Sequence, residues 1–115
     1  MKFASIIFIL FSAFTMNAQQ APTGIWNTGK DNTKIEIKEA NGVYQGTILS
    51  SDNAKAPIGK QLLKDVKLVD GAWAGKLFAA KKGKWMDAVL EEKGKQLLIT
   101  VSAGFMSKTV EWTRG

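Results

Sequence analysis

The chain contains neither cysteine nor histidine. Without cysteine there are no disulfides, no thiolate chemistry and no site for lipid attachment behind an export signal. Without either residue, Ser-His-Asp and Cys-His nucleophilic systems and ordinary zinc or haem ligation are excluded as well. Paired carboxylates are equally scarce. Glu91-Glu92 is the only adjacent acidic pair, and neighbours on a strand point to opposite faces, so they form no acid–base dyad. No glycine-rich strand-to-helix turn is present to cradle a phosphate, because Gly71, Gly75 and Gly83 fall in hairpin contexts. Repeats, low-complexity tracts and internal linkers are also missing. The expectation is a protein that is not an enzyme and carries no metal or cofactor.

Near the N-terminus, Lys2 is followed by an apolar run at residues 3–14, broken only by Ser5 and Ser12, with small and polar residues after it. A helix of that length spans about 18 Å, against a hydrocarbon core of about 30 Å. It is too short for a transmembrane anchor, and it reads as a signal peptide, residues 1–18, cleaved near Ala18. The protein is therefore expected to be exported, to the periplasm or beyond, with residues 19–115 forming a single domain held by packing and β pairing alone. The formal net charge is +6. In an exported protein that balance favours anionic amphiphiles, lipids or envelope polymers, and no nucleic-acid partner is expected.

Turn dipeptides recur at short spacing: Asn41-Gly42, Asp70-Gly71, Lys82-Gly83 and Lys93-Gly94. Between and around them lie β-rich runs at 24–28, 33–40, 43–49, 62–69, 72–80, 84–91, 96–102 and 108–113. The pattern predicts an all-β fold, a small eight-stranded antiparallel meander barrel. Two-residue turns at these dipeptides set Ile35 opposite Ile48, Ile37 opposite Gly46, Leu68 opposite Trp73 and Val66 opposite Gly75. They also set Leu77 opposite Ala88, and Leu90 opposite Leu97. A four-residue loop at 103–106 sets Ile99 opposite Val110 and Leu97 opposite Trp112. One apolar inward face results, with Asp65 and Lys76 paired outside. Val89 against Leu98, and Phe78 against Leu63, would make an outer apolar patch able to support a homodimer.

In a meander the turns alternate between the two barrel ends. Asn41-Gly42, Asp70-Gly71 and Lys93-Gly94 share one end, and the longer connections share the other. That second rim carries Lys30, Lys55, Lys60, Lys81, Lys82, Lys84 and Lys108 against Asp31 and Asp52. Phe105 and Met106 sit among them, with the small inward residues Ala79 and Ala88 below. The expected ligand site is this basic mouth. Trp73, Leu77, Met86 and Ala88 would receive a hydrophobic tail, and Lys82, Lys84 and Lys108, with Phe105 and Met106, would receive an anionic head group. The alternative is an envelope interaction protein, filled inside, that contacts a protein partner or an anionic glycan through its surface.

Gly24-Ile25-Trp26 on the first strand and Trp112-Thr113-Arg114 on the last resemble the calycins, the lipocalins and their relatives. In that group a Gly-x-Trp packs under a basic residue of the last strand. The resemblance implies that Gly24, Trp26 and Arg114 close the barrel floor. More closely, Tyr44-Gln45-Gly46, Leu62-Leu63, the Trp73-x-Gly75-Lys76-Leu77-Phe78 stretch and Gly83-Lys84 resemble an exported bacterial family, domain of unknown function 2147. That family supplies a fold and a compartment but no activity. The sequence departs from it at Phe78-Ala79-Ala80, where relatives carry Tyr-Asp-Pro, and at Ser102-Ala103-Gly104, where they carry an Arg-Gly-Tyr-like stretch. The loop at 50–61 is also shorter.

Overall fold

The computed structural model describes residues 20–115, so the segment expected to be a signal peptide lies outside the described residues. Eight strands follow one another: β1 (Gly24–Asn27), β2 (Lys34–Ala40), β3 (Val43–Ser50), β4 (Gln61–Val69), β5 (Ala72–Ala79), β6 (Lys84–Glu92), β7 (Gln96–Ala103) and β8 (Met106–Arg114). Each pairs antiparallel with the next, and β8 pairs back onto β1, giving a closed meander barrel of lipocalin-like architecture. No helix among the described residues is long and apolar enough to cross a membrane.

Turn chemistry decides how far the expected register holds. Asn41-Gly42 and Asp70-Gly71 have positive φ at both residues, as a type I′ turn demands. Asn and Asp tolerate that conformation, and the pairs Ile35–Ile48, Ile37–Gly46 and Leu68–Trp73 form as expected. Lysine tolerates it poorly. At the β6–β7 turn Lys93 N–H donates to the Gln96 carbonyl at 2.8 Å, so the central residues are Gly94-Lys95 with glycine first. Leu90 therefore faces Ile99 and Ala88 faces Val101, two residues away from the expected partners but on the same face. At the β5–β6 turn the Ala79 carbonyl accepts from Lys82 and Gly83 N–H, and the connection takes four residues. Leu77 then faces Met86, and Gly75 faces Ala88. The β7–β8 connection is shorter than expected: Ala103 pairs with Met106 around a Gly104-Phe105 turn, which leaves Ile99–Val110 and Leu97–Trp112 as predicted.

Strand β4 contains the largest departure. Asp65 adopts φ +56°, and the ladder to β5 shifts between Lys64 and Lys67. This bulge inserts an extra residue, so Leu63 and Val66 both turn inward. The Gln45 Oε1 accepts from Asp65 N–H at 3.1 Å and from Gln61 Nε2 at 2.9 Å, capping the bulge from β3. Leu63 is consequently a core residue rather than the outer partner of Phe78, and Lys76 pairs with Asp87 rather than with Asp65. Leu68 keeps its inward parity but lies beyond the core, 51% exposed at the tight-turn end.

The core joins Trp26, Trp73 and Trp112 to Ile35, Ile37, Leu63, Val66, Leu90, Leu97 and Ile99. Gly46 and Gly75 leave no void. A Cβ on Gly75 would lie 2.6 Å from Val66 Cγ2 and 2.7 Å from the Lys64 carbonyl oxygen. Small residues here admit the bulged strand. They do not open the barrel.

The floor closes as the calycin resemblance implies. Arg114 lies over the Trp26 ring at 3.8 Å and donates to the Thr23 carbonyl at 2.8 Å, to the Gly94 carbonyl at 3.3 Å and to Glu92 Oε2 at 2.6 Å. Trp26 Nε1 donates to the Pro22 carbonyl. Gly24, at φ +118°, would place a Cβ 2.7 Å from Arg114 Nη1. Only glycine suits both that backbone angle and that approach.

Candidate functional site

The loop-end rim is built unevenly. On one side the connection at 51–60 is strapped down: Ile48 N–H donates to the Lys60 carbonyl, Gly59 N–H to the Ile48 carbonyl, and Asp52 N–H to the Asp31 carbonyl. Thr33 and Ser51 hydroxyls meet at 2.8 Å. On the other side the wall parts. The β6–β7 ladder ends at Asp87–Ser102, and no pairing joins Lys84–Met86 to Ala103 and Gly104. Each of those segments belongs instead to its own hairpin, through Ala79–Lys84 and Ala103–Met106.

Between the two hairpins is a hollow of about 310 Å³ lined by Lys76, Lys84, Trp85, Met86, Asp87, Ser102, Ala103 and Gly104. Met86 faces inward and is buried, so the hollow reaches a core side chain from the side of the barrel. Its volume is at the lower limit of small-molecule sites, about 300–1,000 Å³. Inside the same end, Leu77, Val101 and Val110 point to the core yet remain half-buried.

Charge is arranged around this opening. Lys76 forms an ion pair with Asp87, whereas Lys84 has no carboxylate partner among the described residues. Next to the hollow, Phe78 and Trp85 meet edge to face with centroids 5.3 Å apart. Lys64 lies over the Trp85 ring at 4.3 Å, and Lys60 over Phe78 at 5.3 Å. Such contacts stabilise by about 0.5–1 kcal/mol each at exposed sites. They also fix the two ammonium groups beside the aromatic surface. The arrangement can hold a small apolar group against Met86 while presenting cations to an anionic head.

The expected site residues divide into three groups. Met86 and Lys84 line the hollow, and Leu77 packs across from Met86. Lys82, Phe105, Met106 and Lys108 stand on the two flanking hairpins. Ala88 lies one layer deeper, sealed between Gly75 and Val101. Trp73 is elsewhere, near the Asp70-Gly71 turn and edge-on to Tyr44 at 5.1 Å. Its buried Nε1 has no acceptor among the described residues. The outer patch is also rearranged. Val89 faces Thr100 and Leu98 faces Glu91, because the register moved by two residues. Phe78 pairs with Trp85 instead of Leu63. Sequence reasoning missed the opening itself, since it arises where two hairpins with separate turns diverge, and no residue pattern marks that.

A larger depression, about 880 Å³, lies at the tight-turn end along Lys93–Gln96, Thr113 and Arg114. Its guanidinium is already committed to Trp26, Glu92 and two carbonyls, which leaves Lys93 and Lys95 as its cations, and no buried core side chain lines it. Compared with models of known protein families and with curated proteins, the chain matches none.

Proposed function

We propose that this chain is an exported, non-enzymatic binding barrel of the kind represented by domain of unknown function 2147. Its ligand is a small anionic amphiphile, held in the cleft between the β5–β6 and β7–β8 hairpins. The observation that carries the reading is the interrupted β6–β7 ladder, which brings the core residue Met86 into a lysine-flanked hollow. An apolar tail that loses about 100 Å² to Met86 and its neighbours gains about 2.5 kcal/mol. Lys84 and Ser102 then contact the head group, where solvent limits an ion pair to about 1 kcal/mol. Affinity therefore resides mainly in the tail, and charge selects the head.

Titration with a dansyl-labelled fatty acid tests this. Saturable fluorescence enhancement is expected, weakened only modestly by high salt. Ala103→Trp, which fills the hollow from its wall, should lower the affinity about tenfold with the urea midpoint retained. Equal binding by that variant would refute the cleft. Ala88→Phe is the poorer probe, because Ala88 is sealed in the core and the larger ring would overpack it.

The Phe78–Trp85 pair under Lys60 and Lys64 favours a second reading, contact with an anionic glycan on the outer face. Phe78→Ala, outside the lining of the hollow, would strongly weaken binding to an acidic oligosaccharide while leaving a tail-dominated ligand largely unaffected.

A further inference from the structure

The tip of the β7–β8 hairpin carries a side chain that the fold does not require. Gly104 has φ +65° and Phe105 a negative φ, the signature of a type II′ turn. Such a turn demands glycine at its first central position and commonly takes a polar residue at the second. Phe105 stands there 101% exposed, and Met106 beside it is 67% exposed. Neither contributes to the core, yet both place apolar surface in water. Ile58, on the connection at 51–60, is exposed at the same end. Lys108 lies on the same hairpin, and Lys81 and Lys82 form the tip of its neighbour. None of these three lysines is paired with a carboxylate among the described residues.

From this juxtaposition we infer that the loop end docks on an anionic lipid surface, with Phe105 and Met106 entering the interface and the flanking lysines meeting lipid phosphates. A bilayer fits better than a protein partner for a geometric reason. A stable protein interface needs about 800 Å² from each partner, and a hairpin tip offers a point rather than a face. Interfacial insertion needs only a small apolar tip together with cationic neighbours. The inference goes beyond the cleft reading and does not depend on it. Because Gly104 lines the cleft, docking would also present that opening to the membrane.

Vesicle flotation tests the inference on protein recovered after expression in the form the cell leaves it, its N-terminus fixed by mass spectrometry. Flotation with vesicles of phosphatidylcholine plus about a third phosphatidylglycerol is expected, and much weaker flotation with phosphatidylcholine alone. Phe105→Ser should lower the partition coefficient about tenfold with an unchanged urea midpoint. Lys81→Gln and Lys108→Gln should each lower it about fivefold, an effect erased by high salt. Phe105→Ser should still bind the dansyl fatty acid, and Ala103→Trp should still float, so the two readings fail separately. Equal flotation of Phe105→Ser and wild type overturns the inference, as does equal binding to neutral vesicles. A dimer that Phe105→Ser dissolves, without any flotation of wild type, overturns it too.

Discussion

Two inward-facing glycines should respond differently to the same substitution. Replacing glycine by alanine at a compatible strand position stabilises by about 0.4–1 kcal/mol, because the unfolded chain loses freedom. At Gly46 the new Cβ would meet Leu63 Cβ at 3.0 Å and Ile35 Cγ2 at 3.1 Å, contacts relieved by a shift of a few tenths of an ångström, although Leu63 Cβ moves only with its strand. Crowding of about 1 kcal/mol is nearly cancelled by the entropic gain, so Gly46→Ala should leave stability within about 0.5 kcal/mol of wild type. At Gly75 the Cβ would lie 2.7 Å from the Lys64 carbonyl oxygen and 2.9 Å from Val66 Cα, as well as 2.6 Å from Val66 Cγ2. Those backbone atoms belong to the bulged segment of β4 and cannot rotate away. Overpacking of about 3 kcal/mol then outweighs the gain, and Gly75→Ala should destabilise by about 2 kcal/mol. Urea denaturation followed by tryptophan fluorescence measures both, against a total of about 5–15 kcal/mol for a small domain. Gly75→Ala at or above wild-type stability would show that the bulge does not press on β5.

Arg114→Ala removes the contact with Trp26 and three hydrogen-bonded partners. Since the guanidinium is partly exposed, a loss of about 2 kcal/mol is expected, seen as a melting temperature about 10 °C lower; an unchanged melt would mean that the floor closes without it. Leu63→Lys should prevent folding, because it places an unpaired charge in the core, whereas Leu62→Lys, at a half-buried position, should retain the β-sheet circular dichroism spectrum. The reverse result would contradict the bulge at Asp65.

The strand sequence, the meander and the floor contact were legible because each is written in local chemistry. Asn41-Gly42 and Asp70-Gly71 specify one turn type, and the register read from them is observed. Lys82-Gly83 and Lys93-Gly94 signal a turn but not its centre, since lysine resists positive φ and the glycine takes another position. The resulting two-residue error preserved the inward face, which is why Leu90, Leu97 and Ile99 were still read correctly as core. The bulge left a trace that was overlooked. Leu63 and Val66 are three apart, a spacing no regular strand can bury on one face, and Asp65 between them tolerates the left-handed conformation. The cleft had no such trace, because it depends on where two ladders stop rather than on what their residues are.

The seam between β1 and β8 has a consequence for solubility. Its ladder holds Trp26–Arg114 and Asn27–Thr113, extended by the Gly115 N–H donating to the Ile25 carbonyl at 2.8 Å. Every other ladder joins strands adjacent in the chain, so this is the one closure that brings distant segments together. Until it forms, the sheet has two free edges, each a row of unpaired amides and carbonyls able to recruit another chain. Arg114 pins that short seam from the side-chain layer while its own backbone belongs to it. Losing Arg114 therefore unlatches a sheet as well as weakening a floor, and the first visible symptom would be polymer rather than unfolded monomer.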